Sequence, residues 1–198
     1  MKIKRFIGGL YQSNGHVIYQ REGGDCFVID PGYKHMNFLD FIAEKKLNLR
    51  GILLTHHHHD HVGAVKKIVD EAGCPVYLHR LDADRFAEPV TMLEDGDVFD
   101  LSGEEIRVIH TPGHTEGGVC YFSEKSKLAF TGDTIFNVDL GRMDLDDGDP
   151  AKMEATVKDI IDKWSNEITI YPGHGDHCTM KYVRQINKEF LDIVGEPK

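Results

Sequence analysis

Five histidines and one aspartate crowd into a single short stretch, Thr55-His56-His57-His58-His59-Asp60-His61. Imidazole nitrogens and carboxylate oxygens are the donors that zinc, iron and manganese accept, so the run reads first as a metal-binding loop. In extended backbone, residues two apart face the same way. His56 and His58 can therefore present two imidazoles to one cation, while His57 and His59 face away. As the chain turns into a helix, Asp60 and His61 can aim at a second point nearby. The spacing differs from that of a zinc-protease helix, where two histidines sit one helical turn apart. The plain alternative is a solvated polar loop.

The flanking residues say what must hold this loop. Leu49–Leu54 is a short apolar run that reads as a buried strand, and Val62, Val65, Ile68, Val69 and Ala72 follow at helical spacing. A loop between a strand end and a helix start is where open α/β sheets place ligand sites. Before it, Lys2–Ile7, His16–Tyr19 and Cys26–Ile29 read as an antiparallel meander ending at Asp30-Pro31-Gly32. Asp30 is either a turn former or an acceptor that orients a metal ligand from behind. Phe38, Phe41, Ile42 and Leu47 mark a first helix. Val76–Leu78 is a short strand closed by His79, which reads as structural. The stretch from Leu81 to Gly96 is acidic and irregular, either a flap or an exposed connection.

The second half repeats the pattern of strands running into polar turns. Glu105–Ile109 leads to His110-Thr111-Pro112-Gly113-His114, and Leu128–Phe130 leads to Thr131-Gly132-Asp133. Ile168–Tyr171 leads to Pro172-Gly173-His174-Gly175, and Gly118–Phe122 is a further strand. Asp149 caps a helix that starts with Pro150 and carries Met153, Val157, Ile160, Ile161 and Trp164. A last helix carries Met180, Val183, Asn187, Phe190 and Leu191. Four strand ends thus offer ligands, and glycine flanks His114, Asp133 and His174, leaving room for a close approach.

The bulk properties narrow the classes. The length of 198 residues suits one domain over 1–198 with a sizeable core. A formal charge of −10 repels a phosphate backbone, so no nucleic-acid partner is expected. No apolar run approaches membrane-spanning length, and the N-terminus lacks a secretory pattern. Cys26, Cys74, Cys120 and Cys178 are scattered, as expected of reduced thiols in a cytoplasmic protein. The pattern sets no oligomeric state.

In order, His56-x-His58-x-Asp60-His61, Thr111-Pro112-Gly113-His114-Thr115, Gly132-Asp133-Thr134 and Pro172-Gly173-His174-Gly175 resemble the motifs of the metallo-β-lactamase superfamily. The resemblance covers nearly the whole chain. It implies an α/β fold, a four-layer αβ/βα sandwich of two mixed β-sheets flanked by helices. It also implies one metal on His56, His58 and His114, a second on Asp60, His61 and His174, and Asp133 as the bridge. His57, His59 and His110 match no ligand position.

Within that superfamily, Gly132-Asp133-Thr134-Ile135-Phe136, Gly141-Arg142 and Tyr171-Pro172-Gly173-His174-Gly175 are most similar to short-form glyoxalase II. The implied activity is hydrolysis of a small acyl thioester or ester. Two divalent ions, zinc first with iron or manganese as alternatives, would share a hydroxide that attacks the carbonyl. Asp60 and Asp133 would fix the metals and the hydroxide, leaving a small net positive charge. Full-length glyoxalase II has a C-terminal helical domain that supplies glutathione contacts. The few residues after His174 leave no room for one, so glutathione is not expected to be held the same way. Arg142 can bind a substrate carboxylate or pin the acidic loop through Asp144. Cys178 is a candidate lining residue, though packing is the plainer role.

Three other readings remain open. A persulfide dioxygenase-like protein would hold one iron on His56, His114 and Asp133, and shares the stretch Gly141-Arg142-Met143-Asp144. A lactonase or β-lactamase would take a cyclic ester or amide. A histidine-rich metal buffer would need neither Asp133 nor His174.

Overall fold

The computed structural model describes residues 1–195. The strands are β1 (Lys2–Gly8), β2 (Ser13–Tyr19), β3 (Asp25–Ile29), β4 (Asn48–Leu53), β5 (Val76–His79) and β6 (Thr91–Leu93), then β7 (Val98–Asp100), β8 (Glu105–His110), β9 (Val119–Ser123), β10 (Leu128–Gly132), β11 (Thr169–Pro172) and β12 (Cys178–Thr179). The helices are α1 (His35–Glu44), α2 (His59–Val62), α3 (Val65–Ala72), α4 (Arg80–Ala83), α5 (Pro150–Asp159), α6 (Met180–Ile186) and α7 (Lys188–Val194).

The strands form two six-stranded sheets, ordered β1-β2-β3-β4-β5-β6 and β12-β11-β10-β9-β8-β7. Both are mixed. In the first, β1, β2 and β3 pair antiparallel and β3 to β6 run parallel. In the second, β7 to β10 pair antiparallel, β11 joins β10 in parallel, and β12 returns antiparallel.

Alternation along the strands sorts the core into layers. In β2, Val17 and Tyr19 pack with Phe38, Ile42, Val65 and Ile68 of α1 and α3, while Ile18 joins an inter-sheet cluster. In β3, Cys26 and Val28 face the helices and Phe27 and Ile29 face the other sheet. The second sheet mirrors this: Ala129 packs with Met153, Val157, Val183 and Phe190, and Leu128 and Phe130 meet the first sheet. Two-sided burial explains the unbroken apolar runs, since each fully buried Ile, Leu or Phe contributes about 1.5–3 kcal/mol. This is the expected four-layer sandwich.

Several elements differ from the sequence reading. The stretch read as irregular, 81–96, holds most of α4 and all of β6. β7 and β12 were not anticipated, and β2 begins at Ser13 rather than His16. The helix after the histidine run is broken at Gly63–Ala64, where Ala64 N donates to Pro31 O at 2.9 Å. Trp164 lies beyond α5, after a short 3-10 turn at Ile161–Lys163. The last helix is two helices. Asn187 ends α6, caps Phe190 N at 2.9 Å and donates to the carbonyls of Phe136 and Asp139. Asp149 caps α5 as its sequence predicts, accepting from Ala151 N and Lys152 N. Among the described residues, no helix is long and apolar enough to cross a membrane.

Candidate metal centre

The polar ends of β3, β4, β10 and β11 and the loop after β8 converge on one edge of the two sheets. His58 keeps extended backbone, with φ −62° and ψ 142°, and α2 begins at His59. That change of geometry splits the histidine run into two aims. His56, His58 and His114 bring ligand-type atoms within 4.8 Å of one another, and so do Asp60, His61 and His174. Asp133 lies between the two groups. Its Oδ1 is 3.3 Å from His61 Nε2, and its Oδ2 is 3.3 Å from His174 Nε2 and 3.6 Å from His114 Nε2.

The outer nitrogens fix which inner nitrogens are offered. His114 Nδ1 donates to Arg142 O at 2.7 Å, and His174 Nδ1 to Tyr11 O at 3.0 Å. His61 Nδ1 lies 3.2 Å from Asp30 Oδ2. Thr55 Oγ1 donates to Asp30 Oδ2, so it accepts from His56 Nδ1 at 3.0 Å. All four rings therefore turn Nε2 inward. Asp30 adopts the left-handed region, with φ 47°, a conformation that costs a non-glycine residue on the order of 1 kcal/mol. Its carboxylate also accepts from Thr55 N at 2.8 Å, so it braces both halves of the loop from beneath.

Burial and neighbouring charge divide the histidines. Burial, helped by His61, holds His56 well below its ordinary pKa, and burial with His114 and His57 lowers His58 to about 4. Burial also opposes a charged His61 and His174, but carboxylates outweigh it. Asp133 and Asp30 raise His61 well above its usual value, and Asp133 with Asp60 pushes His174 up to about 9. Burial opposes ionised Asp133 too, yet His61 and His174 keep it well below the carboxylate range.

These residues fit divalent cations. His56 Nε2 and Asp133 Oδ1 are buried without a hydrogen-bond partner. His58 Nδ1 and His114 Nε2 face each other at 2.9 Å, and His61 Nε2 and His174 Nε2 at 3.3 Å. Gly173 leaves the space open, because a Cβ there would collide with Asp133 Oδ1 and His61 Cε1. A cation in either group would replace protons now shared among imidazoles and carboxylates.

The remaining histidines sit elsewhere. His57 turns to Asp82 Oδ2 at 3.0 Å, and His59 lines the adjoining cavity. Asp82 is buried and also accepts from Thr115 Oγ1 and Gly117 N. His79 stacks on His110 with centroids 4.2 Å apart. Sequence reasoning missed Asp82, Tyr11 and Asp147; only the glycine-rich turn before Tyr11 gave any signal.

The cavity over the centre has a volume of about 730 Å³ and is walled by Tyr11, Phe136, Asn137, Leu140, Arg142 and Leu145. Arg142 is both exposed wall and loop pin, pairing with Asp144 through Nε and Nη2 at 2.7 and 2.8 Å. Cys178 is not among the lining residues; it pairs with Ile170 in the sheet and packs on the helix-side core.

The family model described as the metallo-beta-lactamase superfamily matches residues 8–174. The chain belongs to that superfamily. Its metallo-beta-lactamase fold is shared with the BLEG-1 B3 metallo-beta-lactamase, at a TM-score of 0.87 and 28% identity over 94% of this chain and 98% of that one. It is shared too with TTHA1623, solved in a di-iron-bound form, at a TM-score of 0.81 and 32% identity over 93% and 98%. Among sequence relatives, a hydroxyacylglutathione hydrolase of Hahella chejuensis is 38% identical over 78% of this chain and 59% of its own length. The hydroxyacylglutathione hydrolase GloC of Haemophilus influenzae is 28% identical over 89% and 92%. The superfamily supplies the coarse activity: a hydrolase with His/Asp metal-binding clusters.

Proposed function

We propose that the chain is a binuclear metal-dependent thioesterase of glyoxalase II type. The observation that carries this is Asp133, whose two oxygens reach toward both ligand groups at once. In this reading His56, His58 and His114 would hold one cation and Asp60, His61 and His174 the other, with Asp133 as the carboxylate that could serve both. Bound divalent cations supply a water whose pKa falls from about 16 to roughly 7, and Lewis acidity at a carbonyl oxygen.

The chain's own residues do the rest. Asp30, Thr55, Tyr11 O and Arg142 O hold the imidazoles in one tautomer. Asp60 and Asp133 are the carboxylates nearest the reacting centre, and their role is to fix the positions of the cations and of the attacking water. Tyr11, Phe136, Leu140 and Leu145 offer an apolar wall to an acyl group and exclude water from it. Arg142 is the lining cation, already engaged by Asp144, and Asp139 adds a negative charge nearby. That lining favours a small acyl thioester or ester with little anionic charge over one anchored through several carboxylates. The names of the Hahella and Haemophilus relatives support the thioester class.

Zinc is the first choice of metal, and the di-iron-bound relative keeps iron in view. The test is a panel of thioesters, lactones, β-lactams and persulfides offered to zinc- and iron-loaded protein. Thioester turnover with zinc supports the proposal, and turnover of another class alone replaces it.

A further inference from the structure

The loop from Gly141 to Asp149 reaches the two histidines whose inner nitrogens meet. Its backbone takes the His114 proton at Arg142 O. Its Asp147 side chain, only 6% exposed, lies beside the outer nitrogens of His57 and His58. Asp147 Oδ2 is 3.4 Å from His57 Nε2 and Oδ1 is 3.9 Å from His58 Nε2. Asp147 Oδ2 is also buried without a hydrogen-bond partner. Between these two anchors, Arg142 and Leu145 form part of the cavity wall.

The proton on His58 decides what Asp147 does. While Nδ1 carries it, that nitrogen can donate to His114 Nε2 at 2.9 Å. A cation shared by His58 and His114 needs a lone pair on Nδ1, so the proton of the neutral ring must move to Nε2. Asp147 is the carboxylate beside Nε2, and 3.9 Å is too long for a hydrogen bond. A modest inward shift of the loop makes one. The same cluster of His57, His58 and Asp147 could be read as a third cation site. The two readings exclude each other once His58 Nδ1 binds a cation, because the neutral ring then carries its proton on Nε2 and has no lone pair there for a third cation.

We infer that Asp147 is a positioning residue for His58, accepting the Nε2 proton and thereby tying closure of the 141–149 loop to metal loading. This rests on the reading of His58 as a metal ligand. A metal-bound histidine held from behind by a carboxylate loses roughly 10–100-fold in metal affinity when that acceptor is removed.

The experiment compares wild type, Asp147→Ala, Asp147→Asn and His58→Ala by zinc competition with a chromophoric chelator, by the visible spectrum of cobalt-substituted protein, and by amide exchange with and without zinc. Zinc should slow exchange across 142–148 in wild type. Asp147→Ala should lose roughly 10–100-fold in affinity at one site, shift the cobalt bands and abolish zinc protection of the loop. Asp147→Asn keeps an acceptor oxygen and should recover most of the affinity. Unchanged affinity in Asp147→Ala, an Asn variant as weak as Ala, loop exchange indifferent to zinc, or a third zinc lost with Asp147 would each overturn the inference. If Asp147→Ala does not fold, the Asn variant and wild-type exchange still decide it. Full zinc uptake by His58→Ala would instead sink the underlying metal-site reading.

Discussion

The Asp30 carboxylate lies 3.2 Å from His61 Nδ1, and the same oxygen accepts from Thr55 Oγ1, which holds His56. One buried acid thus orients a histidine in each ligand group. Asp30→Ala should weaken zinc at both sites by roughly 10–100-fold. It also strands Thr55 N and Oγ1, at a stability cost of roughly 1–3 kcal/mol. Chelator competition and denaturant unfolding measure the two effects. A variant that loses stability but binds zinc normally would limit Asp30 to folding.

Asp133 reaches His114 and His174 through Oδ2 and His61 through Oδ1, so its carboxylate faces both groups, and an amide bridges two cations poorly. Asp133→Asn should therefore lower the zinc content from two toward one per chain and cut turnover by at least roughly a hundredfold, with the fold retained. Elemental analysis, far-UV circular dichroism and thioester kinetics check this. Two tightly bound zincs in an active Asn variant would place the bridge elsewhere.

His57 points at Asp82 and Asp147 rather than into the centre, and His59 only borders the cavity. His59→Ala should leave zinc content intact. His57→Ala should also keep zinc, but lose roughly 1–2 kcal/mol of stability by removing a partner from buried Asp82. His56→Ala and His58→Ala should lose zinc. Equal zinc losses at all four positions would contradict the alternating aim of the run.

The parts of this molecule that were legible in the sequence are those where chemistry and backbone coincide. His114, Asp133 and His174 stand out because each follows a glycine at a strand end, where a polar side chain has no packing use. The run Leu49–Leu54 reads as a buried strand because Ile52 and Leu54 face the helices and Leu53 faces the other sheet, and burial on both faces erases alternation. Asp82 and Asp147 were hidden for the opposite reason. They lie in acidic segments whose other carboxylates are solvated, and only the folded chain brings Asp82 to His57 and Asp147 to His58. Asn187 misled because its helical spacing is real on both sides, while its side chain serves the turn between two helices.

His16 lies among aromatic rings, with Phe130 and Tyr171 at centroid distances of 5.1 and 5.9 Å, and its Nε2 has no partner. Burial, followed by Arg5 and His177, lowers its pKa from 6.5 to about 3. The folded state therefore refuses a proton that the unfolded chain accepts below pH 6.5. Its contribution is full above that pH and declines as pH falls toward about 3, by roughly 1.4 kcal/mol per pH unit. Unfolding of chelator-treated protein across this window should show a shallower acid slope in His16→Phe than in wild type. Parallel slopes would mean that His16 takes up a proton without unfolding.

The choice between thioester hydrolysis and persulfide oxidation turns on the second ligand group. Asp60, His61 and His174 converge within 4.8 Å. Hydrolysis can use a second cation to orient the attacking water and stabilise the oxyanion. An oxygenase with one redox-active iron needs open coordination positions on that iron and no second cation. Zinc-loaded protein should therefore release thiol from a small acyl thioester without oxygen, and His174→Ala should cut that rate by at least roughly a hundredfold. S-lactoylglutathione should be cleaved less efficiently than a thioester with an apolar, weakly charged thiol half, because Arg142, the arginine that lines the cavity among the described residues, is already paired with Asp144. Thiol release is followed anaerobically, and oxygen uptake is followed with a persulfide and iron-loaded protein. Oxygen uptake seen only with iron and unchanged in His174→Ala, with no thioester cleavage by the zinc form, would move the chain to the oxygenase class.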